Sequence, residues 1–137
     1  MIRFGVDANI LLRALLNDDP RQSSAARALL ASLDDGRRGH VGIPAVLEIF
    51  WVLRSRYRVP HQALCEAMRD LLTIRYLEIE NSDAVALALS MYQRRRSGFQ
   101  DALLAALNAK AGCDFTYTFD RDAVKALSAM KLLEDAS

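Results

Sequence analysis

Four carboxylates stand where an acid calls for an explanation. Asp7 ends the run Phe4-Gly5-Val6 at a strand-to-helix switch, with Asn9 two residues on. Glu48 interrupts Ala45-Val46-Leu47-Glu48-Ile49-Phe50-Trp51-Val52-Leu53, a stretch apolar on nearly every side of a helix, and such a helix is expected to be buried on most faces. An ionised carboxylate in that setting is costly unless a cation or hydrogen bonds compensate. Arg54 and Arg56 are six and eight residues away, not three or four, so a local pair is excluded and either a long-range pair or a functional role remains. Asp101 falls in the first turn of a helix beginning near Phe99, and Asp120 follows Thr116-Tyr117-Thr118-Phe119 at a strand end.

Taken singly, three of them have ordinary roles. Asp7 can cap the helix that follows it, Asp101 complements a helix dipole, and either Asp120 or Asp122 can cap the last helix. Taken together, with no His, Cys or Lys beside them, the four make a poor acid–base or nucleophile system and a good site for a hard cation. Mg²⁺ and Mn²⁺ take oxygen ligands, and carboxylate-held Mg²⁺ commonly serves phosphate chemistry. The chain has no Gly-x-Ser-x-Gly elbow, no P-loop and no Gly-x-Gly-x-x-Gly fingerprint, which removes the corresponding hydrolase, nucleotide and dinucleotide readings.

The elements that must hold these acids alternate along the chain. Ile2, Phe4 and Val6 have strand period, followed by a helix from Ile10 to Leu15 and a breaker, Asn17-Asp18-Asp19-Pro20. Ser23 or Ser24 is the expected cap of a second helix, the Asp35-Gly36-Arg37-Arg38-Gly39 turn ends it, and His40 to Ile43 reads as a second strand. A helix from Pro44 to about Tyr57 follows, then one around Leu64 to Leu72, a strand at Tyr76 to Ile79 and a helix from Ser82 to Arg94-Arg95-Arg96. Phe99 to Ala111 is helical, Phe115 to Phe119 a strand, Asp122 to Ala129 the last helix and Leu132-Leu133 a closing strand. This order predicts one α/β domain over residues 1–137, a three-layer α/β/α sandwich around a central parallel sheet of four to five strands covered on both faces. Ligands in such sheets collect beyond the carboxyl ends of the strands, where Asp7 and Asp120 fall.

Composition agrees with a packed globular chain: 137 residues, 52% hydrophobic and 26% charged, with six Gly and three Pro. No apolar run approaches the ~18 residues of a membrane span, and the start lacks a signal-peptide layout, so a cytoplasmic protein is expected. The formal net charge of +1 offers no global field for nucleic acid, yet fifteen of the eighteen cations are Arg, the residue that forks onto carboxylates and phosphates. Arg94-Arg95-Arg96 can contact RNA phosphates or simply favour a helix C-terminus. Trp51 and Tyr57, on the apolar helix, read as core or dimer contacts rather than base-stacking platforms. Cys65 and Cys113, with only His40 and His61 as histidines, form no zinc or disulfide pattern.

Four ordered motifs then carry a resemblance. Val6-Asp7-Ala8-Asn9-Ile10-Leu11-Leu12, Pro44-Ala45-Val46-Leu47-Glu48, Phe99-Gln100-Asp101-Ala102-Leu103-Leu104-Ala105 and Thr118-Phe119-Asp120-Arg121-Asp122 resemble the acidic motifs of PIN-domain ribonucleases, and among them VapC-type toxins of type II toxin–antitoxin systems. The resemblance runs from Ile2 to Leu133. It implies that Asp7, Glu48, Asp101 and Asp120 bind Mg²⁺ or Mn²⁺, with Asp7 and Asp101 as principal ligands and Asn9 and Thr118 orienting the acids or a water. It also implies RNA as substrate, a cognate antitoxin and a homodimer. Two positions depart from the pattern: Gly98 stands where many relatives carry a further acid, and Ala8 where a hydroxyl residue is frequent. Aspartyl-phosphate chemistry is a poorer match, since Asp7-Ala8-Asn9 lacks the second acid of haloacid-dehalogenase-like phosphatases and no Lys ends a late strand as in receiver domains. The remaining alternative is a degenerate fold of the same kind that binds RNA or protein without cutting.

Overall fold

A computed structural model describes residues 1–134. By its contacts the chain forms two compact units, Met1–Ser82 and Asp83–Ser137. In the first, β1 (Ile2–Gly5), α1 (Ala8–Leu15), α2 (Pro20–Ala31), β2 (Arg37–Val41), α3 (Ile43–Trp51), α4 (His61–Thr73) and β3 (Leu77–Ile79) alternate as expected. The second comprises α5 (Ser82–Gln93, beginning at the boundary), α6 (Phe99–Lys110), β4 (Thr116–Thr118), α7 (Arg121–Ala126) and β5 (Met130–Leu132). Among the described residues, all pairings between these strands are parallel. The expected single sheet of four to five strands is instead hydrogen-bonded as a three-stranded sheet, β1-β2-β3, and a two-stranded one, β4-β5. Among the described residues, no helix is long and apolar enough to cross a membrane.

Each boundary that moved has a local cause. The second helix is capped by Asp19, whose side chain accepts from the Gln22 N–H at 3.1 Å, with Pro20 in its first turn; Ser23, an expected cap, is buried inside the helix. β2 begins at Arg37 because the turn before it closes early: Asp34 Oδ1 accepts from the Gly36 N–H at 2.8 Å. Arg37 and Arg38 are therefore strand residues, the first lying over the Phe4 ring at 5.0 Å. The third helix stops being α-helical at Trp51 and continues as a π-helical turn over Val52–Arg56.

The first sheet has two unlike faces. Gly39, Val41, Leu77 and Ile79 are buried on one. On the other, Arg3 reaches across β2 to Glu78 at 2.7 Å, Arg3 also meets His40 Nδ1 at 3.0 Å, and Arg38 approaches Glu78 at 3.8 Å. That second face carries the polar side chains of the sheet. Gly39 is closely packed at the centre of the buried face. A Cβ there would meet Leu77 Cδ1 at 2.9 Å and Val6 Cγ2 at 3.1 Å, closer than side chains pack.

Outside the sheet, Arg13 on α1 forks onto both oxygens of Asp18 at 3.0 and 2.9 Å, and the Tyr57 hydroxyl donates to the same carboxylate at 2.9 Å. The Tyr57 hydrogen bond, seconded by Arg13, holds the Asp18 carboxyl below its ordinary 3.8. In the second unit the Lys110 ammonium at 2.7 Å does the same for Asp83.

Gly39→Ala is expected to lower stability by roughly 1–3 kcal/mol through overpacking, measured by urea denaturation; an unchanged midpoint would show that Leu77 and Val6 move aside freely. A carboxylate depressed on folding stabilises above its unfolded pKa, and that contribution is lost as pH falls through the folded value. Acid should accordingly weaken the fold below the ordinary 3.8 of Asp18. Tyr57→Phe should raise the Asp18 titration midpoint toward that value in a carboxyl-carbon NMR titration, and an unmoved midpoint would remove Tyr57 as the cause.

Candidate metal and nucleic-acid site

Asp7 lies two residues beyond β1 with an extended backbone, and its Oδ1 accepts from the Ile10 N–H at 3.1 Å. It is the N-cap of α1. Asp120 occupies the same relation to β4 and α7, its Oδ1 accepting from the N–H groups of Asp122 at 2.9 Å and Ala123 at 3.1 Å. Thr118 holds this turn from behind, because its Oγ1 accepts from the Asp120 N–H at 3.1 Å. Of the two candidate caps of the last helix, Asp120 is the one used. In both acids the cap engages Oδ1, which leaves Oδ2 as an oxygen donor, and both residues are exposed.

Glu48 is also exposed, and this corrects the expectation of a buried charge. Its helix is one-sided after all: Val46, Ile49 and Phe50 are buried, whereas Pro44, Glu48 and Trp51, spaced four and three residues apart, form an open stripe. The apolar residues around Glu48 had hidden that stripe, since Pro44 and Trp51 are themselves apolar. Water solvates the Glu48 carboxylate, so burial assigns it no special role, and its place among the candidate ligands rests on the motif that carries it. Trp51, 61% exposed, is not a core residue either.

Asp101 sits half-buried in the first turn of α6. The N-cap of that helix is Gly98, and a Cβ at position 98 would lie 3.7 Å from Asp101 Oδ2. A side chain there would stand beside the carboxylate, so the glycine removes a potential neighbour of Asp101. Asn9 is exposed and lines, with Asp7, Ile10, Arg13, Gln22 and Leu29, a groove of about 430 Å³ between α1 and α2. Arg94, Arg95 and Arg96 are exposed; Arg94 turns back on its own helix toward the Ser90 carbonyl at 3.4 Å and Met91 Sδ at 3.7 Å.

One carboxylate went unnoticed in the sequence. Glu80 follows β3 directly, and its Oε1 accepts from the Ile43 N–H at 2.7 Å, capping α3 from 37 residues away where Gly42 has no side chain to do so. Nothing in the local pattern points to it, because the partner is set by strand pairing.

Asp7 and Glu48 belong to the first unit, Asp101 and Asp120 to the second. Among the described residues, no group of three or more His, Cys, Asp or Glu side chains is arranged to hold a metal ion. The chemistry of the donors still suits a hard cation. Among the described residues, none of the four acids is ion-paired, whereas Asp18, Glu78 and Asp83 each have an Arg or Lys. A carboxylate without a counter-cation leaves a ligand ion no competitor among the protein's own charges.

A cap needs an acceptor oxygen, whereas a metal ligand also needs charge, so two substitutions separate the roles. Asp7→Ala and Asp120→Ala should each destabilise by about 1 kcal/mol, while Asp7→Asn and Asp120→Asn, which keep a capping oxygen, should stay near wild type. Thermal melts of the four variants check this, and equal losses for Asn and Ala would mean that the charge itself holds the helix.

The family model described as PIN domain matches residues 5–128. No curated protein matches the chain. A similar solved structure is that of the Mycobacterium tuberculosis toxin VapC20, described as cleaving the sarcin-ricin loop. It shares 24% identity, covers 90% of this chain and 93% of that one, and has a TM-score of 0.42.

Proposed function

This chain belongs to the PIN domain family, and from that membership we propose that it is a divalent-metal-dependent endoribonuclease acting in the cytoplasm as the toxin of a VapBC-type pair. The observation that carries the reading is the set of four motif acids, Asp7, Glu48, Asp101 and Asp120, none of them ion-paired among the described residues. These four are the proposed ligands of Mg²⁺ or Mn²⁺. A bound ion of this kind lowers the pKa of its water and offsets charge on the scissile phosphate.

The protein's own contribution is positioning. Asp7 and Asp120 are held by the helices they cap, so each presents its second oxygen from a fixed backbone. Thr118 fixes the turn on which Asp120 sits. Asn9 lines the same groove as Asp7, which supports its proposed role of orienting that acid or a water. Gly98 leaves Asp101 without the extra acidic neighbour, which favours one ion over two. Arg94, Arg95 and Arg96 are offered as phosphate contacts. A cognate antitoxin and a second copy of the chain are the proposed protein partners.

Cleavage of labelled total RNA with Mg²⁺, Mn²⁺ or EDTA tests the reading. Wild type should give bands that need metal and carry 5′-phosphate and 3′-hydroxyl ends. Asp101→Asn and Asp7→Asn, at equal folded concentration, should lose more than the roughly 10- to 100-fold that even outer-shell partners of a metal are worth. Metal-dependent cleavage that survives in Asp101→Asn would remove that residue from the site. Metal binding with no cleavage of any RNA would identify a non-cutting binding module.

A further inference from the structure

Trp51 is the one tryptophan of the chain. It lies three residues beyond Glu48 on the open stripe of α3, where side chains at that spacing are neighbours. The backbone then winds into the π-helical turn Val52–Arg56, a form that recurs at functional sites. It leaves that turn through Arg58 with φ 51°, a left-handed conformation rare outside glycine. Arg54, Arg56 and Arg58 are all exposed, and among the described residues none of them makes an ion pair. No Asp or Glu occurs between Glu48 and Glu66. By contrast, Arg3, Arg13 and Arg38 are engaged with Glu78, Asp18 and Asp35. Tyr57, between the cations, is tied by its hydroxyl to Asp18 at 2.9 Å, which anchors the segment.

We propose that residues 51–58 are a binding surface for single-stranded RNA, on which Trp51 stacks against an unpaired base while Arg54, Arg56 and Arg58 contact backbone phosphates. The choice of ligand rests on the ribonuclease reading above. An exposed indole followed along the chain by guanidinium groups without ion pairs is the combination that tracks a single strand, and it is tolerant of sequence because every base has a π-face. A two-fold interface between copies centred on this patch would set the same cations against their own counterparts. This surface therefore supplies affinity next to Glu48 without choosing the target.

Because Trp51 is the sole indole, its emission reports the patch directly. The full chain is titrated in EDTA, where metal-dependent cleavage is blocked, with an oligouridylate of about 12 nucleotides, a length within the site sizes of stacking proteins. Binding should quench Trp51, and the log–log salt slope should fall by about 0.7 for each of Arg54→Ala, Arg56→Ala and Arg58→Ala. By filter retention of labelled oligomer, Trp51→Ala should bind on the order of tenfold more weakly and Trp51→Phe close to wild type, with circular dichroism confirming that both are folded. Retention without quenching, or no retention at all, overturns the proposal. Quenching that follows protein concentration in the absence of RNA, with a dimer in sedimentation, overturns it in favour of self-association. The same preparation assayed with Mn²⁺ on total RNA keeps the two readings apart: cleavage with an unresponsive Trp51 removes only this surface, while quenching without cleavage removes the nuclease and keeps the surface.

Discussion

A helix that starts directly after a parallel strand leaves its first N–H groups pointing at the edge of the sheet with no intrahelical partner. That constraint recurs along the chain, and after β1, β2 and β4 it is met by a carboxylate. After β1 it is Asp7, bonded to the Ile10 N–H; after β4 it is Asp120, bonded to the N–H groups of Asp122 and Ala123. After β2 the chain offers only Gly42, and the acceptor comes from Glu80 at the end of β3. Within each unit, positive helix ends and negative side chains thereby meet at the carboxyl ends of that unit's own strands, the kind of position where open α/β folds bind ligands.

The same arrangement explains how a capping acid can serve a second purpose. A carboxylate has two oxygens, and at Asp7 and Asp120 the cap uses Oδ1. Capping fixes the rotamer and the backbone, so the remaining oxygen is presented in one direction, a precondition for holding an ion. Capping and the proposed ligand role are therefore compatible in these two residues. The acids bound to cations behave differently: Asp18, Glu78 and Asp83 have their carboxyl groups pulled below the ordinary range by Tyr57, Arg3 and Lys110 respectively, and they stabilise the fold in place.

Glu48 and Trp51 show how a hydrophobic pattern can mislead. A helix reading Ile-Pro-Ala-Val-Leu-Glu-Ile-Phe-Trp has so few polar residues that periodicity cannot find its solvent face, and burial was the natural inference. Pro44, Glu48 and Trp51 nevertheless line up at helical spacing on the side away from Val46, Ile49 and Phe50. The cap of α2 went astray for a related reason. Ser23 and Ser24 are good caps by residue type, but Asp19-Pro20 a turn earlier has both an acceptor and a residue that needs no N–H partner.

The alternation of strands and helices follows from local chemistry, namely period-two and helical spacing and breakers at Pro20, Pro60 and Gly112, while the family is legible through the resemblance of the four short motifs that carry the acids. Those signals lie within a few residues of one another and survive without knowledge of what packs where. Tertiary structure alone decided that Glu80 caps α3, that Arg3 crosses β2 to reach Glu78, that a methyl group at Gly39 would press on Leu77 and Val6, and that Trp51 faces solvent. Each of these depends on which strands pair and which helix face meets the core, and partners 37 or 75 residues apart leave no mark on the local sequence.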